Sequence, residues 1–153
     1  DVWRVGAHNG TFRGNNLAFV TATETIKKFW TDKCFQESVK RKGTIIESRL
    51  QNMANLYPEG DFSVRGRGMM RGLRSTNPEL VHNIAAAAFE GGVVVETSGS
   101  KDEVLKILAP LVIPDDLLRK GLSIIEDAIA GILNVQSRTR KNIRPLKRAG
   151  GVS

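Results

Sequence analysis

Leu118, Leu122, Ile125, Ile129 and Ile132 recur at steps of four, three, four and three, which commits this part of the chain to an amphipathic helix. Asp115 and Asp116 open it, where the positive end of the helix dipole favours acids. A stripe of this kind needs an apolar surface to bury against. Three earlier segments carry the same period. Ala18, Ala22, Thr25 and Phe29 line one face of a helix from about 16 to 30, with Asn15 or Asn16 as its N-cap. Phe35, Val39, Ile46, Leu50, Met53 and Tyr57 continue the pattern until Pro58-Glu59-Gly60-Asp61 stops it. Thr76-Asn77-Pro78-Glu79 starts a third helix with Leu80, Ile84 and Ala87 or Ala88 inward, and Gly91-Gly92 ends it.

Between these helices the period is lost. Gly66, Gly68 and Gly72 separate short apolar pairs from Phe62 to Leu73, which predicts two short strands or one strand with a sharp turn. Val93-Val94-Val95-Glu96-Thr97 is β-branched and predicts a strand, Ser98 to Asp102 a turn, and Val104 to Ile113 a further strand closed by Pro114. The order helix, helix, strand pair, helix, strand, strand, helix suits an α+β domain with a small sheet covered by helices, preceded by helical material from a larger body.

Composition narrows the class. The chain has 153 residues, 41% hydrophobic and 25% charged, as expected of a soluble globular domain. No stretch approaches the roughly 20 apolar residues of a membrane span. A single cysteine, Cys34, rules out an intrachain disulfide and fits a reducing cytoplasm. The net charge of +7 comes almost wholly from Arg138, Arg140, Lys141, Arg144, Lys147 and Arg148. With no aromatic residue among them, residues 136–153 read as a basic, mobile tail and not as a specific nucleic-acid surface. The opening Asp1-Val2-Trp3-Arg4 has neither an initiator methionine nor the order of a signal peptide, and the expectation is a fragment of a longer protein.

Most candidate chemistry fails on spacing. Gly66, Gly68 and Gly72 give G-x-G-x-x-x-G, which is not a dinucleotide fingerprint. His8, His82 and Cys34 lie too far apart in sequence to resemble a zinc motif. The loop from Gly6 to Asn16 is different: Gly10 and Gly14 permit close backbone approach, Thr11 offers a hydroxyl, and a helix N-terminus follows, a combination suited to a phosphate. An ordinary turn into a capped helix explains the same residues.

The run His8-Asn9-Gly10-Thr11-Phe12-Arg13-Gly14-Asn15-Asn16-Leu17-Ala18 resembles the H-x-G-T-F-x-G-N-x-L-A stretch of class III aminotransferases, fold type I enzymes that use pyridoxal phosphate. The likeness continues through Arg65-Gly66-Arg67-Gly68-Met69-Met70-Arg71-Gly72-Leu73, Val95-Glu96-Thr97-Ser98-Gly99 and Pro110-Leu111-Val112-Ile113. It implies a cofactor-domain edge over 1–30, a long connecting helix over 31–57 and a small domain over 58–135. It further implies a homodimer in which Thr11 donates its hydroxyl to the phosphate of the partner subunit's pyridoxal phosphate, a charge-assisted bond. His8 and Arg13 take structural roles.

Within the family the arginine and doubled asparagine look most like members that make diaminobutyrate. Glutamate would then be the amino donor and aspartate 4-semialdehyde the acceptor. Members acting on ornithine, 4-aminobutyrate or siderophore precursors are the alternative, and a non-catalytic basic binding module is a third reading. In some relatives an arginine before the proline-leucine motif binds a substrate carboxylate, and Lys106 stands there, keeping the charge without the guanidinium fork. Arg65, Arg67 and Arg71 read as a solvated hairpin face. Val5, Ala7 and Ala109 depart from the family pattern. The Schiff-base lysine matches no residue here, so the segment is expected to be inactive alone.

Overall fold

The structure is a computed structural model. It describes residues 2, 4–7, 10 and 14–142, with side chains as far as 134. Four helices, α1 (Asn16–Phe29), α2 (Cys34–Leu56), α3 (Pro78–Glu90) and α4 (Asp115–Asn142), combine with four strands, β1 (Ser63–Arg67), β2 (Met70–Arg74), β3 (Glu96–Ser98) and β4 (Val104–Leu108). The chain divides into two compact units, Asp1–Ser38 and Val39–Ser153.

In the first unit, the Asn15 side chain caps α1 by accepting from the Ala18 amide at 3.0 Å. No residue of α1 is buried within the unit, and Leu17, Phe19, Val20 and Ile26 are exposed. Asp32 accepts from the Cys34 amide at 2.9 Å where α2 begins. The Phe35 ring lies 5.0 Å from Phe29 and 5.3 Å from Trp30, edge-on to the indole.

The second unit is an antiparallel sheet in the order β1-β2-β4-β3 with helices on one face. From α2, Gly43, Ile46, Leu50 and Met53 turn inward at helical spacing. Leu73 of β2 and Leu105 and Ile107 of β4 meet them, and α3 adds Leu80, Val81, Ile84 and Ala88. The α4 stripe enters as expected through Leu118, Leu122, Ile125 and Ile129, with Leu133 buried and Ile132 partly so. Ion pairs hold the edges: Arg49 to Glu126 at 2.6 Å between α2 and α4, and Arg71 to Glu47 at 2.7 Å between β2 and α2. Buried Ser75 accepts from the Asn77 amide and donates to the Gly60 carbonyl at 2.6 Å, and Asn77 caps α3.

Three elements differ from the sequence reading. Val93, Val94 and Val95 are not in the sheet. Gly92 takes φ of +91°, its amide bonds to the Phe89 carbonyl and that of Val93 to the Ala88 carbonyl, so the helix C-cap claims backbone that β-branching assigned to a strand. The second correction concerns β4, which ends at Leu108 and not at Ile113, because the Ile113 amide closes a turn on the Pro110 carbonyl at 3.0 Å. Lastly, α4 runs to Asn142, into the stretch read as tail: no glycine or proline interrupts residues 132–142, and cations suit a helix C-terminus. Residues 143–153 lie outside the described residues. Among the described residues no helix is long and apolar enough to cross a membrane.

Candidate functional site

The β3–β4 hairpin sets the geometry around Lys106. Gly99 at φ +96° and Asp102 at φ +56° turn the chain, and the register then pairs Glu96 with Lys106, Thr97 with Leu105 and Ser98 with Val104. Directly opposed residues share a sheet face. Leu105 and Ile107 point into the core, so Lys106 and Glu96 stand on the other face, in one row with Gly72 and Arg65. The Lys106 Nζ lies 2.6 Å from Glu96 Oε2. Hydrogen bonding to Lys106, then its charge, holds the Glu96 carboxyl below its ordinary range. The lysine side chain is 29% exposed and the glutamate 69%.

Both residues border a cleft of about 470 Å³. Val93, Val95, Leu118, Leu122 and Ile125 make its apolar wall, and Ala109 and Pro110 form part of its margin. It exists because Val93–Val95 leave the sheet while β4 continues beyond Lys106. The cleft wall belongs to the core side of the sheet, and the Lys106–Glu96 pair stands at its edge on the opposite face.

The turn beyond β4 is fixed from α2. Lys42, only 6% exposed, donates from Nζ to the Leu111 carbonyl at 3.0 Å, and its neighbour Arg41 pairs with Asp115 at the head of α4. The Arg41 hydrogen bond holds the Asp115 carboxyl below its usual range. Neither Glu96 nor Lys42 was singled out by sequence reasoning. For Glu96 a signal exists: it and Lys106 are equidistant from Lys101 at the centre of the turn, as antiparallel partners must be.

The other sequence candidates fall into place unevenly. Arg71 is tied to Glu47 and to the Gly68 carbonyl, while Arg65 and Arg67 are exposed on β1. Cys34 is exposed, and the charge of Asp32 pushes its thiol up, which suppresses the thiolate a nucleophile needs. Thr11, His8 and Arg13 lie outside the described residues. Among the described residues, a Cβ added at Gly14 would meet no atom within 4 Å, and the first turn of α1 carries no acid. The Asn15 cap engages the Ala18 amide, leaving those of Asn16 and Leu17 outside the helix ladder. A helix N-terminus with no acid in its first turn favours an anion.

A sequence model of the family described as Aminotransferase class-III matches residues 1–129. The chain is 52% identical over 135 residues to a diaminobutyrate–2-oxoglutarate transaminase of Bordetella parapertussis, covering 88% of this chain and 31% of that protein. To the transaminase of the same name from Virgibacillus pantothenticus it is 41% identical over 133 residues, 87% of this chain and 32% of that protein. Among solved structures, the ornithine aminotransferase from Toxoplasma gondii superposes with a TM-score of 0.72 at 20% identity, over 88% of this chain and 31% of that one, a likeness of fold. The chain thus spans about a third of the length of the curated relatives it matches. With a family match over most of its residues and relatives this similar, the chain belongs to the class-III aminotransferases.

Proposed function

We propose that this chain is the C-terminal part of a pyridoxal-phosphate-dependent transaminase that moves an amino group from glutamate to aspartate 4-semialdehyde, giving 2,4-diaminobutyrate. The carrying observation is the 52% identity, over 88% of the chain, to a protein named for that diaminobutyrate chemistry. In this reading residues 1–30 belong to the edge of the cofactor domain, 31–57 to a connecting helix and 58–135 to the small domain, in a cytoplasmic homodimer. When bound, pyridoxal phosphate supplies the electron withdrawal that makes the carbon bearing the amino group acidic.

The chain's own residues bind and position. Thr11 donates its hydroxyl to the phosphate of the cofactor in the partner subunit, and the positive end of the α1 dipole, a few residues on in the chain, favours the same anion. Lys106 takes a substrate carboxylate, exchanging Glu96 for it. The lysine that would carry the cofactor matches no residue of this segment.

The test uses the full-length protein. Amino transfer from glutamate to aspartate 4-semialdehyde, followed as 2-oxoglutarate released, is the expected activity; transfer to another aldehyde in its place would move the protein to another branch of the family. Thr11→Ala should weaken cofactor retention by about tenfold, read by the cofactor's absorbance after gel filtration, since one charge-assisted bond contributes about 1.5–3 kcal/mol. Unchanged retention would remove Thr11 from the phosphate site.

A further inference from the structure

Glu96 is unusual for an exposed strand residue, because it stands beside the one lysine proposed to hold substrate, on the sheet face that the helices leave uncovered. We infer that Glu96 is a specificity-determining residue: it holds the α-ammonium of an amino-acid substrate while Lys106 holds the α-carboxylate. The inference rests on the substrate reading above and goes beyond it by assigning the second half of the recognition.

The argument is one of charge balance. An ammonium and a carboxylate 2.6 Å apart, both partly exposed and on the same sheet face, present the charges of an α-amino acid in mirror order. A zwitterion can dock head to tail on such a pair, so that each protein charge gains a partner and neither is left unpaired. In transfer to C4 of a four-carbon amino acid, the α-ammonium and α-carboxylate do not react, so they are free to serve as the handle. The rest of the molecule then reaches away from the sheet toward the chemistry.

Substrates lacking one half of the handle fare worse. A carboxylate with no neighbouring ammonium, as in 4-aminobutyrate, takes Lys106 and strands Glu96; a simple diamine strands Lys106. Because Glu96 is largely solvated, a substrate that leaves it without a partner loses only the attraction it would have gained, and that difference in gain makes the pair a filter for α-amino acids. Glutamate approaches differently, since its α-amino group is the one transferred. Its carboxylates can use Lys106 and gain nothing from Glu96.

The experiment compares the full-length wild type with Glu96→Gln, using 2,4-diaminobutyrate, 4-aminobutyrate and glutamate as amino donors. KM for 2,4-diaminobutyrate is expected to rise about tenfold or more in the variant, while KM for the other two changes less than about twofold. A parallel rise for all three donors, or no rise for any, overturns the inference, because a merely structural cross-strand pair has no reason to single out an α-ammonium. Glu96→Asp should restore part of the preference. A second readout is independent of turnover: 2,4-diaminobutyrate should raise the wild-type Tm more than 4-aminobutyrate does, and that difference should vanish in Glu96→Gln. A wild type that transfers no amino group from 2,4-diaminobutyrate would defeat the proposed function, and the thermal comparison would still decide the role of Glu96.

Discussion

Replacing Leu50 by alanine is expected to lower the unfolding free energy by about 2–5 kcal/mol. Leu50 is fully buried at the centre of the α2 stripe, flanked on its own helix by Ile46 and Met53, also with no exposed surface. The same core holds Leu73 of β2, Leu105 of β4 and Ile129 of α4. Removing the side chain leaves a cavity whose walls are set by a helix pinned through Arg49 to Glu126 and a sheet pinned through Arg71 to Glu47, so little collapse can repair it. Leu50→Met, which nearly conserves volume, should cost less than about 1.5 kcal/mol. Urea unfolding followed by far-ultraviolet dichroism reads both, as a shift in midpoint at constant slope. A loss below about 2 kcal/mol for Leu50→Ala would mean that the site is loosely packed and collapses.

The second large effect is a contrast between two helical glycines. A Cβ at Gly43 would stand 2.9 Å from the carbonyl carbon of Gly68 and 3.0 Å from its oxygen, closer than real Cβ atoms come to backbone. The hairpin turn it meets is backbone, and the Arg71 side chain holds it by donating to the Gly68 carbonyl at 3.0 Å. Gly43→Ala therefore sets a gain of about 1 kcal/mol in helix propensity against overpacking of about 1–3 kcal/mol, and the expected result is net destabilisation. At Gly131 of α4 a Cβ would meet nothing within 4 Å among the described residues, so the same change there should stabilise by about 0.5–1 kcal/mol. Opposite signs in the two melting temperatures are the outcome to look for; a stabilised Gly43→Ala would show that α2 and the hairpin can move apart.

Much of this fold was legible because its determinants are local. The Asn15 and Asn77 caps, the Pro58 stop and the apolar stripes of α2, α3 and α4 follow from spacing along a single helix. Legibility ended where two local signals competed. Val93–Val95 has strong β propensity, but the glycine pair before it builds a helix cap that takes the Val93 amide. Apolar content carried the expected β4 through Pro110, where a turn wins. The basic run at the end read as disorder by charge, while its helix formers extend α4 to Asn142. For the site, the position of Lys106 came from family resemblance. Its pairing with Glu96 came from the structure, since a residue across the hairpin is invisible to a reading that moves along the chain without fixing register.

The burial of Lys42 bears on how this domain can be watched in solution. An ammonium sealed beneath the Leu111 carbonyl cannot meet an acylating reagent, whereas exposed lysines on the same helix, such as Lys40, can. Labelling at Lys42 therefore counts the moments when the turn after β4 lifts away from α2, and turns one side chain into a clock for local opening at the margin of the cleft.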